Sequence, residues 1–247
     1  MCKHITFIYN CLETLSQFIV HLLIPAAGSG SRMQAEKNKL LIEMEGESLI
    51  YWTLKSIFSA ESISWVGIIG QSKDKELLFK SAKEYSHKIN WINGGKTRQE
   101  SVFNGLNALP DNAKKVLIHD GARCLINPEL INKCAAELED NKAVILATKV
   151  TDTIKIVDKK GFIKETPDRN SLWAAQTPQG FSVDSLKKAH KIALERNWIV
   201  TDDASLYEML NWKVKIIEGN YSNLKVTTPI DLKVAKLFLK DFNLKGC

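Results

Sequence analysis

His21-Leu-Leu-Ile-Pro-Ala-Ala27 runs directly into Gly28-Ser-Gly-Ser-Arg-Met33, and a lysine follows at Lys39. The first seven residues read as a buried strand. The glycines after it let backbone N–H groups approach an anion with no Cβ in the way, and Arg32 and Lys39 put two cations within reach of phosphate oxygens. Two better-known phosphate loops are excluded. A dinucleotide fingerprint needs glycine where Met33 stands, and a P-loop needs a closing Gly-Lys-Ser/Thr. The segment alone also reads as an ordinary glycine turn with two solvated bases.

The rest of the chain supplies the sheet around this loop. Continuous apolar runs at Trp65–Ile69, Lys88–Ile92, Val116–His119 and Ala143–Ala147 alternate with helix-period segments at Glu47–Ser59, Asp74–His87, Arg98–Leu109 and Pro128–Leu138. Leu40–Met44 reads as a short extended piece. After residue 180 come helices at Val183–Arg196, Asp203–Leu210 and Ile230–Lys240, with a strand at Val214–Ile217. This alternation predicts an α/β fold with a mostly parallel, doubly wound sheet, whose ligands sit at the carboxyl ends of the strands. Gly28, Gly94 and Asp120 fall there. One stretch breaks the pattern: Thr151–Val157 alternates with period two, Asp158-Lys-Lys-Gly161 turns, and Phe162–Thr166 returns. It predicts an inserted β-hairpin arm at about 151–170, with too little core to stand alone, and therefore packed on a partner, most simply a second copy of the chain.

At 247 residues and 45% hydrophobic content the chain can bury a core. Its formal charge of +6 is spread among acids, which argues for a small anionic substrate and against nucleic acid. Five cysteines without C-x-x-C pairing point to a reducing, cytoplasmic setting, with neither disulfide framework nor zinc. No apolar run reaches the ~20 residues of a membrane span. Residues 1–19 read as a dispensable extension, with a misassigned start as one explanation, before a single domain at 20–247.

Further clusters lie at strand ends. Gly94-Gly-Lys-Thr-Arg-Gln-Glu-Ser101 opens a helix and offers backbone donors, Arg98 and the Ser101 hydroxyl to a base or phosphate; Thr97 suits a capping role equally. His119-Asp-Gly-Ala-Arg123 puts a carboxylate where a divalent cation or ribose binds, with His119 facing away as a packed histidine. Thr201-Asp-Asp-Ala-Ser205 reads as a helix cap, and Lys225 precedes a proline-started helix. Each has a bland structural reading, but together the bases recur beside glycine or hydroxyl residues at strand ends, which suits a triphosphate plus a second phosphate.

The order of these motifs resembles the 2-C-methyl-D-erythritol 4-phosphate cytidylyltransferase family from about His21 to the end. The anchors are Pro25–Met33, Gly94-Gly-x-x-Arg-x-x-Ser101, His119-Asp-Gly-Ala-Arg123, Asp168-Arg-Asn170, Ala175-Gln-Thr-Pro-Gln179, Thr201–Ser205 and Leu224-Lys-Val-Thr227. Three departures stand out: the family's Pro-Lys-Gln is Asn38-Lys39-Leu40, its Asp-Ala-Ala-Arg-Pro is Asp120–Cys124, and an acid common after the paired glycines is Lys96. The resemblance implies transfer of CMP from CTP to methylerythritol phosphate with Mg²⁺ present. Arg32, Lys39, Arg169 and Lys225 would be catalytic. Ala26, Ala27, Gly28, Gly30, Gly95, Arg98, Ser101, Asp120, Gly121, Arg123, Thr153 and Thr201 would bind substrate or nucleotide, and Asp120 would also face the metal. It further implies an arm-swapped homodimer in which Arg169 reaches the neighbouring site. Ribitol-5-phosphate cytidylyltransferase, a uridylyl- or guanylyl-transferring relative and a catalytically dead nucleotide-binding regulator are the alternatives; the last is expected to lose Arg32, Lys39 or Lys225, all present here.

Overall fold

A computed structural model of the chain describes residues 18–27 and 38–244, with side chains through 240. Gly28, Gly30 and Arg32, with nearly all of the expected extension, lie outside the described residues. The main sheet has seven strands: β1 (Val20–Pro25), β4 (Ile63–Gly70), β5 (Ile89–Asn93), β6 (Lys115–Ile118), β7 (Ala143–Lys149), β10 (Trp173–Ser182) and β11 (Lys215–Glu218). Across the sheet they stand in the order β11-β7-β10-β6-β1-β4-β5. β10 runs antiparallel between β6 and β7, while the other pairings are parallel.

Strand alternation sorts the apolar residues onto two faces. Leu22 and Ile24 of β1 point to one core with Val66, Ile68 and Leu117; Leu23 points to the other with Ile69, Val116 and Phe181. Helices α1 (Leu49–Phe58), α2 (Lys75–Ala82) and α4 (Pro128–Glu137) cover the first face. Helices α3 (Arg98–Asn107), α5 (Val183–Glu195) and α6 (Ala204–Met209) cover the second. Both faces of the parallel strands are thereby dry, and each fully buried Leu or Ile contributes about 1.5–3 kcal/mol. Gly105 lets α3 sit down on the sheet, because a Cβ there would lie 2.5 Å from Ile69 Cδ1. A third cluster docks α7 (Pro229–Leu244) through Ala235 and Leu239 against Leu49, Leu125 and Val226.

Several elements differ from the sequence expectation. Lys39–Leu41 is a 3-10 turn, and within the expected piece the strand β2 is confined to Glu43–Met44, paired with β3 (Glu47–Ser48). The helix expected over 74–87 breaks at Lys83, whose φ is 50°, and continues as a 3-10 segment to Lys88. Thr177-Pro178-Gln179, given above only as a motif, lies inside β10; proline donates nothing to the ladder, and the pairing with β7 skips from Ala175 to Gln179.

The hairpin is present but short: β8 (Ile156–Val157) pairs with β9 (Ile163–Glu165) outside the main sheet. Asp158 closes its turn by accepting from the backbone N–H groups of Lys160 and Phe162. The period-two pattern does not bury one face within the chain. Ile156, Val157, Phe162 and Ile163 are all exposed, Phe162 at 69%.

Candidate active site

A cavity of about 320 Å³ opens at the carboxyl ends of β1, β4 and β6 and beside the start of α3. Of the residues expected to act, Ala26, Ala27, Lys39, Gly95, Arg98, Ser101, Asp120, Gly121 and Lys225 line it. The segment before α3 is closed on itself. Thr97 caps the helix by accepting from Glu100 N–H at 3.0 Å, and Glu100 returns a carboxylate to Lys96 N–H at 2.7 Å. Gly95 N–H donates to Ser101 Oγ at 3.0 Å, and Ser101 donates to Thr97 O at 2.8 Å. The capping reading of Thr97 therefore holds, and the Ser101 hydroxyl is engaged in positioning the Gly95 backbone. A Cβ on Gly95 would meet Glu100 Cγ at 2.3 Å, so this closure requires glycine.

Asp120 stands at the end of β6 with Lys225 Nζ 2.7 Å from its Oδ2. Burial alone would raise the Asp120 pKa, but the Lys225 ammonium, then Arg98 and Arg123, outweigh it and hold the carboxyl below its usual range. Beneath the pair, Asp120 N–H donates to Thr177 Oγ1 at 2.9 Å, and Thr177 Oγ1 lies 3.2 Å from His119 Nδ1. His119 Nε2 lies 3.2 Å from the Arg123 carbonyl, which can only accept. The ring is thus the neutral Nε2–H tautomer, with Nδ1 accepting from Thr177. Full burial pushes its pKa down to about 4. His119 is the packed histidine the sequence suggested.

Behind the cavity, Arg98 Nη2 lies 2.8 Å from Oδ2 of buried Asp203, whose Oδ1 lies 3.3 Å from His190 Nε2. Arg98 and Asp203 form an ion pair, and His190 is a close polar neighbour of the same carboxylate. Burial opposes charge on both Arg98 and Asp203. Asp203, followed by Asp120, nevertheless raises the arginine, and Arg98 with His190 lowers the aspartate. The helix-cap role expected near Asp203 falls to Asp202, which accepts from Ser205 N–H at 3.1 Å and from Gln179 Nε2 at 2.7 Å.

Four expected residues are not in the cavity wall. Arg123 spans from Asn223 O (2.7 Å) to Ala175 O (3.3 Å), holding the loop that carries Lys225 onto β10. Thr153 and Thr201 are exposed loop residues. Arg169, at the foot of the arm, donates to Thr151 O at 2.8 Å.

This geometry matches known proteins over nearly the whole described chain. Residues 20–241 fit the family model of 2-C-methyl-D-erythritol 4-phosphate cytidylyltransferase (IspD). The chain belongs to that family. A Prochlorococcus marinus (strain MIT 9312) protein with the family's name is 78% identical over 222 residues, covering 90% of this chain and 98% of that protein. One from Parasynechococcus marenigrum (strain WH8102) is 54% identical, covering 89% and 97%. The 4-diphosphocytidyl-2C-methyl-D-erythritol synthase of Anaerococcus prevotii superposes with a TM-score of 0.81 at 34% identity, covering 90% of this chain and 96% of that one. The cytidylyltransferase of Thermus thermophilus gives 0.74 at 26%, covering 90% and 99%.

In this member of the cytidylyltransferase family, the polar wall residues Gln71 and Asn38 had no functional reading from sequence. Gln71 follows β4 directly, and a strand-end position was the available signal. Asn38 looked like a mere departure from proline. Among the described residues no helix is long and apolar enough to cross a membrane. No group of three or more His, Cys, Asp or Glu side chains there could hold a metal on its own.

Proposed function

We propose that the chain transfers CMP from CTP to 2-C-methyl-D-erythritol 4-phosphate, forming 4-diphosphocytidyl-2-C-methyl-D-erythritol and pyrophosphate. The observation that carries this reading is the convergence of Lys39, Arg98 and Lys225 on one cavity at the strand ends, next to a single carboxylate, Asp120. A phosphate monoester is already anionic near neutral pH, so its oxygen attacks the α-phosphorus without a general base. As that bond forms, the bond from the α-phosphorus to the bridging oxygen breaks and pyrophosphate leaves with the electron pair. The barrier is the approach of two anions, which positioned cations lower.

Arg32 and Lys39 hold the triphosphate and the departing pyrophosphate; Ala26, Ala27, Gly28 and Gly30 bring the backbone close to it. Gly95, with Ser101 fixing its position, and Gly121 border the nucleoside. Lys225 meets the acceptor phosphate, and Asp120 orients Lys225. Magnesium commonly takes one or two carboxylates and completes its shell with water and substrate phosphate oxygens. One carboxylate in the wall fits an ion that arrives with CTP, and Asp120 would hold it. Such an ion supplies charge neutralisation of the phosphates. The exposed apolar arm and Arg169 at its foot fit a homodimer in which Arg169 and Thr153 complete the partner's acceptor site. Free, buried Cys124 and Cys134 agree with a cytoplasmic setting.

Phosphorus NMR of the protein with CTP, the acceptor and magnesium tests the reading. Paired diphosphate resonances and free pyrophosphate are expected; unchanged CTP would overturn it.

A further inference from the structure

Asn38 is 6% exposed, and its side chain uses both ends of its amide. Nδ2 donates to Ala26 O at 2.8 Å and to Asp74 Oδ2 at 3.0 Å, while Oδ1 accepts from Leu40 N–H at 3.1 Å. The orientation is determined: turned over, the amide would set Oδ1 against two atoms that only accept. Three wall segments meet at this one group. Ala26 directly follows β1, Leu40 belongs to the turn that carries Lys39, and Asp74 closes the short helical turn after Gln71. The contacts therefore fix where the Lys39 backbone lies relative to the end of β1.

We propose that Asn38, with Asp74 behind it, is a positioning residue for Lys39, doing by hydrogen bonding what the family's usual proline does by fixing φ. The backbone at Asn38 has φ −54° and ψ 127°, a conformation that proline adopts without strain. The inference rests on the proposed role of Lys39 in holding the triphosphate. Its particular content is that the amide acts as a donor. A cap for the 3-10 turn needs only the Oδ1 acceptor, which an aspartate supplies equally well.

Asn38→Asp separates the two functions. It keeps the acceptor for Leu40 N–H, loses both donated bonds, and turns a carboxylate toward Asp74 and Ala26 O. Misplacing a charge contact by a fraction of an ångström costs on the order of tenfold or more in rate. Steady-state pyrophosphate release should show that loss in kcat for Asn38→Asp. The Asn38→Pro variant should recover most of the wild-type kcat, and Asn38→Asp/Asp74→Asn part of it. In a Lys39→Ala background the Asn38→Asp change should cost little more, because its effect passes through that lysine. The melting temperature is read alongside, and the Asn38→Pro recovery is compared at matched folded fraction. Wild-type kcat in Asn38→Asp, or an undiminished loss in the Lys39→Ala background, would overturn the inference. A wild-type protein that releases no pyrophosphate would instead overturn the proposed function.

Discussion

Lys225 and Asp120 come from segments far apart in the chain, yet their charged atoms meet at 2.7 Å across the cavity. The Lys225 side chain is 40% exposed, so the pair is a poor source of stability. On the proposed function its value is orientation: the ammonium would be held at the rim for an incoming phosphate monoester to share.

Lys225→Met and Lys39→Ala should therefore each lower turnover by about 10²–10³, the scale of losing one preorganised charge contact to a reacting phosphate. Urea unfolding of Lys225→Met should stay close to wild type. A large stability loss with normal turnover would make the lysine structural.

Asp203 behaves oppositely. It is 1% exposed and holds Arg98 from behind the cavity. Asp203→Ala leaves that guanidinium without its buried partner and should destabilise the fold by about 3–5 kcal/mol, visible as a lower denaturant midpoint. A change well under 1 kcal/mol would mean that Asp120 and Asp202 suffice for Arg98.

Acid should weaken the fold before the carboxylates titrate. In the unfolded chain His119 takes up a proton below about pH 6.5, but in the folded chain only below about 4. Between those values the unfolded state binds the extra proton, so stability falls as the pH drops, by on the order of 3 kcal/mol from this group. Burial lowers His21 as well, and it acts in the same direction. The test is the slope of unfolding free energy against pH from 7 to 4.5, which should flatten in His119→Gln. An unchanged slope would remove His119 from the account.

The arm predicts complementation. If Arg169 serves the partner's site, mixing inactive Arg169→Ala and Lys39→Ala proteins should recover part of the activity through hybrid sites with both residues intact. Verified subunit exchange without recovery would place the whole site in one chain.

The sheet was legible because its strands are continuous apolar runs between helices with clear caps, such as Asn127 before Pro128, whose side chain accepts from Glu129 N–H. Those signals are local. The position of β10 was not legible, because a strand that threads antiparallel between β6 and β7 carries no mark of its neighbours. The break at Lys83 was hidden for a similar reason, since lysine rarely adopts positive φ. At the site, Lys39, Asp120 and Lys225 showed through as charge beside glycine or hydroxyl residues. Asp203 did not, because the sequence Thr-Asp-Asp offers two candidate caps and only tertiary packing sends the second to Arg98. For Arg123 the sequence showed a candidate substrate ligand but not its partners within the chain, the backbone carbonyls of residues 175 and 223.

The most direct test is the initial rate of pyrophosphate release with CTP and magnesium across three acceptors: 2-C-methyl-D-erythritol 4-phosphate, D-ribitol 5-phosphate and a hexose 1-phosphate. The account predicts rapid release with the first and little above background with the others, and a large loss when UTP replaces CTP. A clear preference for ribitol 5-phosphate, or equal use of UTP, would contradict it.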